Sequence, residues 1–97
     1  MAARRTHAKR ALTLRLYVAG SAPNSLRAIE NLKVYCAGEL FALRKLEIVD
    51  LLKEPQRAVA DGIVVTPTLI KLAPTPVTRV VGNLSDAASL LAMLGHE

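Results

Sequence analysis

The side chains that invite a chemical reading are Cys36, His7, His96 and the serines Ser21 and Ser25. Cys36 is the only cysteine, which excludes an internal disulfide and any cysteine metal cluster. It is left as a small buried hydrophobe or a single redox-active thiol. His7 stands near the start of the chain and His96 beside the last residue, so neither has the convergent neighbours that a metal ion or a general base requires. Ser21 and Ser25 lack a histidine placed to activate them, which leaves nucleophilic catalysis without support. These residues predict no catalytic centre, no metal and no cofactor, and they point to a protein that acts by binding.

Charge narrows the kind of partner. The net charge is +5, and Arg4, Arg5, Lys9 and Arg10 fall in the first eleven residues, where there is no acid. The rest of the chain then carries nine basic residues against eight acidic ones and is nearly neutral. Residues 1–11 read as a disordered basic leader, and 12–97 as one domain whose balance of charge gives no reason to expect nucleic acid as a partner. No run approaches the roughly 18 apolar residues of a membrane helix. The first apolar stretch is broken by Arg15 and has no processing site of a signal peptide, so a cytoplasmic location is expected.

The elements that position these residues follow from periodicity. With 97 residues and a hydrophobic fraction of 52%, the chain has enough aliphatic material for one core. Leu12, Leu14, Leu16 and Val18 alternate with Thr13, Arg15 and Tyr17 as in a strand, which ends at Gly20 and Pro23. Asn24 or Ser25 can cap a helix with an apolar stripe of Leu26, Ile29, Leu32 and Cys36, ending near Gly38. Leu46 to Val49 reads as a second strand, parallel to the first because a helix connects them. Pro55 opens a short helix that Gly62 can end. Leu69 to Leu72 and Val77 to Val81 form a hairpin around Pro74 and Pro76, and Ala87 to Leu94, capped by Ser85, closes the chain as a helix with Leu90, Leu91 and Leu94 inward.

The resulting order, βαβαββα with Thr66-Pro67 before the third strand, resembles the thioredoxin fold: an α/β, three-layer domain. Where thioredoxins carry a Cys-x-x-Cys this chain has Ala22 and Ser25, so dithiol chemistry is excluded. Cys36 lies about three turns further along the helix and cannot substitute. More specific are Leu16-Tyr17-Val18-Ala19-Gly20, Pro23-Asn24-Ser25, Val49-Asp50, Thr66-Pro67-Thr68 and Gly82-Asn83-Leu84-Ser85-Asp86. Together, in fixed register over about residues 12 to 94, they resemble the KaiB family.

That resemblance implies a non-enzymatic clock or signalling adaptor that binds the hexameric RecA-like ATPase KaiC and modulates its phosphorylation or ATPase state. It also implies a metamorphic chain, a monomer in a thioredoxin-like form and a self-associated tetramer in an alternative ground-state form with a rearranged C-terminal half. Ala87 to Leu94 are good helix formers with no β-branched residue, which favours the thioredoxin-like form. The resemblance places a cis bond at Thr66–Pro67; the competing expectation is a trans proline that interrupts a strand. Pro74, Pro76 and Gly82 join it as candidate fold-switch positions, the two prolines being equally well explained as turn formers.

Arg27, Lys45, Lys53 and Asp86 fall in matching segments and are the candidate partner contacts. A solvated arginine explains Arg27 as well, and a first-turn acid explains Asp86. The sequence departs from the family where Gly62 replaces a lysine, where Glu47 replaces a basic residue, and in lacking an acidic C-terminal tail. Two other functions compete: a thioredoxin-fold redox or stress-response protein using Cys36, and a sensor module like the KaiB-like domain of a histidine kinase.

Overall fold

The computed structural model describes residues 10–36 and 41–93. Its elements are β1 (Arg10–Val18), α1 (Pro23–Cys36), β2 (Phe41–Asp50), α2 (Gln56–Asp61), β3 (Thr68–Ala73), β4 (Thr78–Val81) and α3 (Ala87–Met93). The four strands form one sheet in the order β2-β1-β3-β4. β1 runs parallel to β2 and antiparallel to β3, and β3 is antiparallel to β4. This is the βαβαββα thioredoxin-like arrangement, with the C-terminal segment helical.

Alternation along β1 divides the core in two. Leu12, Leu14, Leu16 and Val18 face one side, where Ala28 and Leu32 of α1, Leu69 of β3, Leu84 and Leu90 of α3 close over them. Tyr17 faces the other side and packs with Val49, Ile63 and Ile70. Helices α1 and α3 thus cover one face and α2 the other, giving three layers. Among the described residues no helix is long and apolar enough to cross a membrane.

Several boundaries differ from those expected of the sequence, each for a local reason. Arg10 and Ala11 belong to β1, paired with Phe41 and Ala42, so the strand takes up the last two residues assigned to the basic leader; the remainder of that leader lies outside the described residues. β2 starts at Phe41 instead of Leu46 because a register shift sets Leu12 opposite Leu43 and Thr13 opposite Lys45. Arg44 is the extra residue of that bulge, and it hides the period-two pattern on either side of it.

Helix α1 starts at Pro23, where a missing amide hydrogen costs nothing. Ser25 does not cap it: its side chain is buried and its Oγ accepts the Ala19 amide at 3.2 Å. The buried stripe is Ser25, Ala28 and Leu32, and Leu26, expected inside, is 50% exposed. The side chain of Cys36, and Leu94 with the side chain of Leu91, lie outside the described residues.

At the C-terminus of α2, Gly62 has φ 67° and its amide returns to the carbonyls of Ala58 and Val59, the expected left-handed stop. The peptides before Pro67, Pro74 and Pro76 are cis. Asp86, not Ser85, caps α3: its Oδ1 accepts the Ser89 amide at 3.3 Å and its Oδ2 the Ser89 hydroxyl at 2.8 Å.

Leu16, fully buried with strands paired on both sides, tests the core. Leu16→Ala is expected to lower the unfolding free energy by about 3 kcal/mol in urea titrations. Val64→Ala, at a side chain 92% exposed, should change it by less than about 0.5 kcal/mol.

Candidate functional site

β1 and β2 are parallel and β3 is antiparallel to β1, so the end of β1, the end of β2, the start of β3 and the end of β4 all lie at one end of the sheet. The motif residues are therefore neighbours in space. Asp50 joins two of the turns: its Oδ1 accepts the Gly20 amide at 2.9 Å and the Leu52 amide at 3.0 Å. Those two amides hold its carboxyl below the ordinary carboxylate range. Gly20 has φ 57°, and a Cβ there would stand 2.8 Å from Leu52 Cδ1, so the turn needs glycine for both conformation and space.

The third and fourth strands are tied in at the same end. The Gly82 amide donates to the Pro67 carbonyl at 2.9 Å, and the Thr68 hydroxyl to the Val65 carbonyl at 2.7 Å. Asn31 of α1 donates through Nδ2 to the Asn83 carbonyl at 2.8 Å, fixing the loop before α3 against α1. In that loop Leu84 adopts φ 66° with its side chain 2% exposed; burial of a leucine outweighs a backbone strain of about 1 kcal/mol. A groove of about 460 Å³ runs between the loop and α1, lined by Leu26, Arg27, Glu30, Asn31, Asn83 and Ser85.

Of the candidate contacts, Arg27 lines this groove, Lys53 is exposed in the turn after Asp50, and Asp86 stands between the groove loop and α3. Lys45 is not with them. It lies five residues before the end of β2, about 17 Å along the strand, on the face covered by α2. Pro74 and Pro76 sit at the far end of the sheet, in the β3–β4 hairpin, whereas Thr66, Pro67 and Gly82 are at the motif end. Exposed apolar side chains border the basic ones there: Leu26 beside Arg27, and Leu52, 72% exposed, beside Lys53.

On the α2 face is a charged cluster that the sequence did not disclose. Glu47 accepts from Arg15 Nε at 2.7 Å and from Arg57 Nη1 at 3.3 Å, and Arg57 also reaches Glu54 at 3.4 Å and Asp61 at 3.6 Å. The Tyr17 hydroxyl donates to Asp61 and accepts from Arg15 Nη1 at 3.3 Å. Arg57, then Arg15, holds the Glu47 carboxyl below its ordinary range; the Tyr17 phenol, helped by the two arginines, does the same for Asp61. Burial, then the Asp61 carboxylate, pushes the Tyr17 phenol up. The negative charge at Glu47 is thus compensated within the chain. Arg15 and Tyr17 share a face by strand parity alone, but their partners depend on the β1–β2 register, which the bulge at Arg44 obscures.

The Tyr17 phenol is enclosed and engaged, the Ser25 hydroxyl is occupied by a backbone amide, and no histidine is among the described residues. No group of three potential metal ligands occurs among the described residues either.

Compared with known proteins, residues 15–96 match the family described as KaiB domain. A circadian clock oscillator protein KaiB from Prochlorococcus marinus is 46% identical over 91 residues, spanning 94% of this chain and 80% of the relative. One from Nostoc punctiforme is 45% identical over 84 residues, spanning 87% and 81%. The solution structure of the N-terminal domain of Synechococcus elongatus SasA superposes with a TM-score of 0.71 at 26% identity, covering 93% of this chain and 89% of that one.

Asp50→Asn is expected to lower the urea midpoint at pH 7. A depressed carboxyl stabilises the fold above its unfolded pKa and ceases to do so as pH falls through its folded pKa. The gap between variant and parent should therefore close below about pH 4, and equal midpoints at pH 7 would rule out this role for Asp50.

Proposed function

The chain belongs to the KaiB family, and from that premise we propose that it is a non-enzymatic cytoplasmic adaptor that binds a hexameric KaiC-type ATPase and modulates its phosphorylation or ATPase state. The observation that carries this reading is the convergence of the family's motif residues at one end of the sheet, beside an exposed surface that mixes cations with apolar side chains. Arg27 with Leu26, and Lys53 with Leu52, present the chemistry that suits an acidic, partly apolar protein surface. Lys45 contributes to a second basic point on β2, and Asp86 orients α3.

The thioredoxin-like form is the binding-competent one in this reading, and a second, tetrameric form with its C-terminal half rearranged around Thr66, Pro67, Pro74, Pro76 and Gly82 is the competing state. A partner that recognises only the first form draws the population toward it by its differential affinity.

Size-exclusion chromatography with light scattering, using the KaiC-type ATPase of the same organism in its nucleotide-bound hexameric state, tests the reading. A complex is expected at micromolar concentrations, and Arg27→Glu with Lys53→Glu should weaken it by about tenfold or more. No complex at tens of micromolar, about the level at which weak specific binding still registers, would refute it.

A further inference from the structure

Six residues do not make a stable helix by themselves, and α2 has little else of its own to hold it. Pro55 at its N-terminus makes no side-chain capping bond, and none of its residues is buried. Only Ala58 packs, half-buried, against the Tyr17, Val49, Ile63 and Ile70 cluster. By contrast α1 buries Ser25, Ala28 and Leu32, and α3 buries Leu90.

What attaches α2 to the sheet is charge, drawn from three strands. From β1, Arg15 stands 3.8 Å from Asp61 and Tyr17 donates to the same carboxylate. From β2, Glu47 holds Arg57. From β4, Arg79 donates to the carbonyls of Asp61 at 2.8 Å and Gly62 at 3.0 Å, satisfying acceptors that the helix C-terminus leaves open. Glu54, just before α2, and Lys45, two residues before Glu47 on β2, complete the charged groups facing the cluster.

We propose that α2 is an electrostatically latched segment, which leaves the sheet as a unit when Glu47 and Asp61 lose their charge or are screened, while β1, β3 and α1 stay folded. Local opening is easiest where few apolar contacts have to break. The latch side chains are 24 to 35% exposed, so salt reaches them. The carboxyls of Glu47 and Asp61 are both held low, so the latch is intact above the ordinary carboxylate range and releases as pH falls through and below it. The raised Tyr17 phenol sets the alkaline limit: the latch is intact while the phenol keeps its proton and weakens as pH rises through its folded pKa. Release uncovers Tyr17, Val49 and Ile70, a face of the sheet that is otherwise closed. The latch is independent of any KaiC-type partner.

Amide hydrogen exchange on the isolated chain reads the latch directly, through the Gly62 and Ile63 amides that bond to α2 carbonyls. Between about 0.05 and 1 M NaCl their protection is expected to fall about three- to tenfold, with β1 amides changing less than about twofold. Glu47→Gln at low salt should reproduce the loss, and protection of the parent should decline below about pH 4. If the α2 amides exchange at the same rate as β1 and ignore salt, the latch does not exist. Should Glu47→Gln unfold as a whole, the salt series on the parent chain alone decides.

Discussion

Everything in this domain depends on the alternation of β1 between two neighbouring strands. Its even-numbered residues are aliphatic and buried on the side of α1 and α3; Arg15 and Tyr17 occupy the other side. A slip of one residue would exchange the two faces, placing Arg15 among leucines and Leu14 and Leu16 under the charged cluster. The same strand therefore specifies the hydrophobic core and the electrostatic attachment of α2. It also delivers Val18, Ala19 and Gly20 to the end of the sheet where the other motifs meet.

At that end the same short segments carry both the bonds that hold the turns and the exposed side chains beside them. Backbone amides and the side chains of Asp50, Ser25 and Asn31 are spent on holding turns together, while Leu26, Arg27, Leu52 and Lys53 are exposed. Each of these turns is pinned to another strand or helix by a bond of 2.8 to 3.2 Å. On the α2 face of the sheet the attachment runs through ion pairs.

The element order and the class of the fold were legible because period-two and helical patterns are local properties of β1, α1 and α3. So was the end of α2, since a glycine directly after a short helical stretch supplies the left-handed residue that stops it. The first half of β2 was not legible, because the bulge at Arg44 breaks the alternation. Nor was the inward face of α1: Leu26 and Ala28 differ by two positions, and hydrophobicity favours the wrong one. Lys71 is 3% exposed in β3, against the habit of lysines; the strand sends Ile70 and Leu72 to one face, which commits Lys71 to the face of Leu69. The charged cluster needed the pairing of Arg15 with Glu47, thirty-two positions apart, which no local pattern contains.

The convergence of the motif residues at one end of the sheet depends on the thioredoxin-like arrangement, with α3 helical and β3 beside β1. Assigned NMR spectra of the isolated chain test that arrangement most directly. Helical carbon shifts across Ala87–Met93 are expected, together with cross-strand contacts between Leu16 and Leu69. Extended shifts across Ala87–Met93, with no contact between Leu16 and Leu69, would contradict it.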